Sequence, residues 1–209
     1  MVMKGKGSLG GYVEAVASPA PAPGGGSVAA VCGALSAALA RMVAGIALNK
    51  DEYRGVRKEL GRIVSKSESL QSRLLELAEE DSRAFGAVVR ALSKPRSTPV
   101  QRQRREKAVQ QALTWASEVP LETMEKCLEV LELSKAALEK GSKEAFTDAG
   151  SAAMLAHAAF RSAGLNVKVN LVSIEDAVFR RRIDARVKSL YRMAAKLSEQ
   201  VEEEISSRF

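Results

Sequence analysis

Between Val56 and Leu92, apolar residues recur every three or four positions: Val56, Leu60, Ile63, Leu70, Leu74, Leu77, Phe85, Val88 and Leu92. That spacing keeps them on one side of an α-helix and predicts a helix from about Asp51 to about Ser93. Two positions on the stripe are polar, Ser67 and Asp81. A carboxylate on a core-facing stripe needs a partner or a shifted pKa, because an unpaired buried charge is costly. An ion pair across the bundle, a local exit of the stripe to solvent and a functional carboxylate are three readings that the pattern leaves open.

The rest of the chain is patterned in the same way. Residues 8–17 read as a short leading helix, and Val28–Leu48 as a second one with Ser27 as its N-cap. This second helix is built from small residues (Ala30, Gly33, Ala34, Ala37, Ala38, Ala44 and Gly45) and so should be surrounded by other helices, a symmetry mate among them. After the break at Pro95–Pro99, Val100–Val119 is helical, Pro120 kinks or splits the run, and Leu121–Lys140 continues it to a C-cap at Gly141. Lys143–Ala163 is an alanine-rich helix ended by Gly164. The alternation over Asn166–Leu171 would suit a short strand, but Val172, Ile174, Ala177, Val178 and Ile183 favour one long terminal helix to about Ser206. In that helix Asn166 and Asn170 share a face one turn apart. The expected fold is all-α: one domain over residues 1–209, a bundle of five or six helices. Several helices are too long for a compact monomer, which predicts a homodimer.

Composition narrows the partners. Aromatic residues are only 4% of the chain, and the net charge of +7 favours anionic ligands. The basic cluster Arg96, Arg102, Arg104, Arg105 and Lys107 lacks interleaved aromatics, so it reads as a solvated helix face and nucleic acid is not expected. Cys32 and Cys127 stand far apart without a CxxC pair, and there is one histidine, His157. That pattern argues against a disulfide framework or a zinc site and points to a reducing cytoplasm. The N-terminal residues lack an apolar run of signal-peptide length, and Val28–Leu48, with Arg41 in it, reads as a protein-buried helix and not as a membrane span.

Candidate chemistry gathers around Pro19-Ala20-Pro21-Ala22-Pro23-Gly24-Gly25-Gly26-Ser27. Alternating prolines hold the approach extended, and the glycines let backbone lie against a neighbour where a helix start leaves N–H groups outward. A cradle for a polar ligand and a plain tight turn both fit this stretch. No Ser/His/Asp set or Walker motif is present. What remains is a polar set on otherwise small or apolar faces: Lys50, Asp81, Asp148, Asn166 and Asn170. Such groups suit proton transfer and polarisation better than covalent catalysis.

Several ordered blocks carry a family likeness: Pro21–Ala30, Ala47–Lys50 with Tyr53, Asp81–Phe85, Ala116–Leu121, Thr147-Asp148 and Asn166–Leu171. Together they cover most of the chain, and it resembles the formiminotetrahydrofolate cyclodeaminase / methenyltetrahydrofolate cyclohydrolase family. One departure is Gly141-Ser142, where the family usually has Gly-Asn ahead of its Ser/Thr-Asp. The resemblance implies a helical dimer that binds a reduced folate in a cleft, with no cofactor beyond that substrate and no metal. It implies Asp81 and Asp148 as proton-transfer groups and Asn166 and Asn170 as positioners. Lys50 would bear on folate carboxylates or developing charge, and Pro23, Gly24, Gly25, Gly26 and Ser27 would lie along the ligand. Cyclohydrolase activity is the leading expectation, since the cyclodeaminase is often fused to a transferase for which this chain has no room. The arginines suggest polyglutamylated folates. A helical scaffold or nucleic-acid binder is the non-enzymatic alternative.

Overall fold

A computed structural model describes residues 8–208. Among them are six α-helices and no strand: α1 (Leu9–Ala17), α2 (Gly25–Leu48), α3 (Arg57–Leu92), α4 (Pro99–Lys140), α5 (Phe146–Val172) and α6 (Ala177–Ser206). The small residues of α2 decide the architecture. Ala30, Ala34, Ala37, Ala44 and Ala47 are buried, which lets α3, α4 and α5 close around this helix while one face stays open. By length and composition α2 is apolar enough to cross a membrane, yet half of its most apolar window is buried inside the bundle.

The stripe on α3 behaves as its period requires: Leu60, Ile63, Leu70, Leu74 and Leu77 are buried, and so is Ser67. It then leaves the core, since Asp81 is half-buried and Phe85 is 40% exposed. Arg73 ties α3 to α4 through Glu122 at 2.8 Å and also holds Glu80 at 2.8 Å.

Several boundaries differ from the sequence reading. The N-cap of α2 is Gly24 and not Ser27, which sits inside the first turn with its side chain buried. A 3₁₀ turn over Asp51–Val56 precedes α3. Pro120 does not split α4, which runs for 42 residues from a Thr98/Gln101 capping box. Gly164 does not end α5. A Cβ there would lie 2.4 Å from the Tyr191 hydroxyl, so the glycine serves the close approach of α6. The terminal stretch is two helices, because Ser173 closes α5 and Asp176 caps α6 by accepting the N–H groups of Val178 and Phe179. Gln110 on α4 secures that turn, donating to the Ser173 carbonyl and accepting the Glu175 N–H. This contact from a remote helix left no local trace.

Candidate active site

An open cleft of about 270 Å³ lies where the N-terminus of α2 meets the later half of α3, the middle of α4 and the last turns of α5. Pro21, Gly24, Gly25 and Gly26 form one wall, with Asp81, Asn166 and Asn170 facing them. Ala84, Phe85, Val88 and Val169 supply apolar surface. Pro23 leads into the wall, half-buried beside Gly24. Ser27 lies behind it, where its hydroxyl is 3.1 Å from that of Tyr12, a buried residue of α1. The proline-glycine stretch is thus both a helix start anchored by α1 and a ligand-sized wall.

Asp81 is the electrostatic centre. Its carboxylate lies so close to α2 that a Cβ on Gly26 would come within 2.1 Å of Oδ1, which is why this position has no side chain. Burial pushes the Asp81 carboxyl above its ordinary value, and a hydrogen bond from the Ser27 backbone N–H opposes that shift. A carboxylate whose affinity for protons is raised, held at a cleft and at a helix N-terminus, suits acid–base work. The two asparagines are oriented by carbonyls. Asn166 Nδ2 donates to the Ser162 carbonyl at 3.0 Å, and Asn170 Nδ2 crosses to the Ala116 carbonyl at 2.6 Å. Each amide is thereby held in place, with its oxygen and its second N–H left for a ligand.

Lys50 and Asp148 are not in this cleft. Asp148 stands in the first turn of α5, eighteen positions before Asn166, or about 27 Å along the helix at the α-helical rise. Lys50 follows the far end of α2 and pairs with Glu144 at 2.7 Å, which raises its pKa. The neighbouring Tyr53 hydroxyl accepts the Lys143 N–H at 3.0 Å. One chain therefore gathers Asp81, Asn166, Asn170 and the glycines at one end of the bundle and leaves Lys50 and Asp148 at the other. The sequence reading missed Tyr12, and it assigned Phe85 and Val88 to the core although they line the cleft. Asp81 on the same stripe was the signal for the second point.

Other candidate groups are occupied locally. His157 Nδ1 is 3.1 Å from Ser198 Oγ, and burial lowers its pKa. Cys32 and Cys127 are free thiols. Among the described residues no three His, Cys, Asp or Glu side chains converge as metal ligands. Arg102 donates to the loop carbonyl of Ser97, and Arg105 to the Leu92 carbonyl at the end of α3.

Comparison with known proteins matches residues 8–189 to the profile of a family described as formiminotransferase-cyclodeaminase. The chain is 35% identical to the methenyltetrahydrofolate cyclohydrolase of Methylorubrum extorquens, over 99% of both proteins. It is 33% identical to the formimidoyltransferase-cyclodeaminase of Mus musculus over 90% of its own length, but spans only 35% of that longer protein. The solved structure of formiminotetrahydrofolate cyclodeaminase from Thermotoga maritima superposes with a TM-score of 0.87 at 30% identity, covering 97% of each chain.

Proposed function

Because the chain belongs to the formiminotransferase-cyclodeaminase family, we propose that it hydrolyses methenyltetrahydrofolate to formyltetrahydrofolate in the cleft at the head of α2. The observation that carries the reading is Asp81, a half-buried carboxylate with a raised pKa against the glycine wall and opposite two oriented amides. The methenyl carbon is an electrophile flanked by two nitrogens. Asp81 accepts a proton from water as the water oxygen bonds to that carbon. It returns a proton to the ring nitrogen as the C–N bond breaks, and the hydroxyl proton of the adduct leaves to solvent as the formyl group forms. Asn166 and Asn170 accept hydrogen bonds from the pterin edge, while Phe85 and Val88 cover its flat face. A polyglutamate tail would run toward the arginines of the 96–107 stretch, and no metal is part of this mechanism.

The Thermotoga structure keeps cyclodeamination as the second reading. Purified protein is expected to accelerate the loss of methenyltetrahydrofolate absorbance above the uncatalysed rate. Ammonia release from formiminotetrahydrofolate without that acceleration would establish the second reading instead, and neither activity in folded protein would remove both.

We also propose a homodimer, supported by a seam on the open face of α2. Val28, Leu35, Met42 and Asn49 recur every seven residues, as do Gly25, Cys32, Leu39 and Ile46, and all eight are half-buried or exposed. Leu35, Met42 and Ile46 are 47%, 41% and 36% exposed. A seven-residue apolar repeat is the pattern of a helix paired with another helix, and this one has no occupant among the described residues. A second copy fits it best in antiparallel register, since opposed helix dipoles attract. The seam then closes with Gly25 opposite Asn49 of the partner subunit, and the partner's Lys50 beside the Asp81 cleft, cation against carboxylate. Mixing Asp81→Asn with Lys50→Ala protein, each nearly inactive alone, should then restore about a quarter of wild-type turnover by random re-pairing. Turnover no greater than the two parents contribute would exclude the shared site. Binding to lipid vesicles by α2 would exclude the seam as a protein–protein surface.

A further inference from the structure

Helix α4 runs unbroken through an interior proline. A proline in a helix interior supplies no N–H to the carbonyl four residues earlier, and its ring crowds that carbonyl away from the helix axis. Here the proline is Pro120, buried in an otherwise continuous α4, and the carbonyl belongs to Ala116. Ala116 lines the cleft. Its oxygen accepts a hydrogen bond from outside α4, from Asn170 Nδ2 of α5 at 2.6 Å. Most other side chains that bond to carbonyls of α4 do so from within the helix: Thr114 to Gln110, Ser117 to Leu113, Thr123 to Val119 and Ser134 to Val130. Arg208 reaches the Leu138 carbonyl from outside, but that group lies in the last turn, where carbonyls lack an intrahelical partner in any case. In the interior of α4, the carbonyl that Pro120 leaves unserved is the one where a residue from another helix replaces the missing N–H.

We infer that Pro120 is a positioning residue: by freeing and tilting the Ala116 carbonyl it fixes the amide of Asn170, so that Asn170 presents its oxygen to the cleft. The two asparagines are then anchored by different routes. Asn166 uses a carbonyl of its own helix, at Ser162. Asn170, one turn further along, depends on α4. An Asn amide left unanchored offers either end to a ligand, a donor or an acceptor, and a misplaced acceptor leaves a ligand N–H unpaired. The proline thereby converts a local defect in one helix into specificity for a ligand edge that donates hydrogen bonds. For its substrate the inference rests on the folate reading; for its geometry it does not.

The test is a double-mutant cycle between Pro120 and Asn170 with two readouts. Pro120→Val keeps bulk in the buried position and restores the N–H, and Pro120→Ala repeats the test without the β-branch. If the proline acts through Asn170, Pro120→Val and Asn170→Ala each lower kcat/KM about tenfold. The double variant is then no worse than Asn170→Ala alone. A Pro120→Val enzyme indistinguishable from wild type, or a double variant whose loss is the product of the single losses, overturns the inference. Melting temperature supplies the readout that needs no activity. Asn170→Ala should lower it in the wild-type background, where it orphans the Ala116 carbonyl. The drop should be much smaller in the Pro120→Val and Pro120→Ala backgrounds, where a backbone N–H serves that carbonyl. Equal drops in all backgrounds overturn the inference. If wild-type protein turns over neither folate, the functional reading fails and the melting cycle still judges the role of Pro120.

Discussion

Asp81→Asn is expected to lower turnover of methenyltetrahydrofolate by at least about a hundredfold, the usual worth of a positioned proton-transfer group. The amide oxygen still accepts the Ser27 N–H, so the wall of the cleft stays in place and only the exchangeable proton is lost. The pH profile makes the assignment specific. Burial raises the Asp81 pKa, so wild-type activity should fall in acid with a midpoint above the usual carboxylate value, and the variant's residual activity should lack that limb. Stability moves in the opposite direction. The carboxyl holds its proton more tightly folded than unfolded, so its contribution is fully present below the unfolded pKa and is lost as pH rises through the folded one. At neutral pH the charged form is a cost that asparagine removes. Thermal melts at pH 7 should show the variant at least as stable as wild type, and wild-type activity in a variant so folded would withdraw the acid–base role.

Gly26→Ala should be nearly as damaging although it adds one methyl group. The new Cβ would stand 2.1 Å from Asp81 Oδ1 and 2.6 Å from Cγ, well inside any real contact. The cleft is open on that side, so the carboxylate swings away and the helix backbone keeps its course. Alanine is also the better helix former by about 1 kcal/mol, which offsets part of the steric cost. The expected result is turnover lowered by about a hundredfold, as a misplaced reacting group would give, with melting temperature little changed. Gly61→Ala is the matched control, because a Cβ there meets nothing within 4 Å and the residue lies on α3 away from the cleft. It should gain up to about 1 kcal/mol of stability and keep full activity. Equal activity in the Gly26 and Gly61 variants would mean that Asp81 works from some other position.

How far the site was legible depends on the range of each signal. Asp81 was conspicuous because a carboxylate interrupted an apolar stripe, and Asn166 and Asn170 because they stood one turn apart on a helical face. Both patterns are local, and both survive in the structure even though the helix carrying the asparagines ends at Val172 instead of continuing to Ser206. Gly164 misled for the opposite reason. Its lack of a side chain answers to Tyr191 on α6 and not to its own backbone, and single-chain periodicity has no term for a distant hydroxyl. Pro120 misled likewise, for its consequence is carried by a residue about fifty positions away on another helix.

By itself the sequence determined that the chain is helical, where its apolar faces run, and which polar side chains interrupt them, because helix formation and face periodicity are set by residues within one or two turns of each other. The tertiary structure alone decided which of those polar groups meet. Two rigid helices, α2 and α5, separate Lys50 and Asp148 from Asp81 by most of the length of the bundle, while the crossing of α3, α4 and α5 brings Asp81, Asn166 and Asn170 to a single glycine wall. Convergence is a property of how helices cross, and crossing is fixed by packing between faces that no local spacing records.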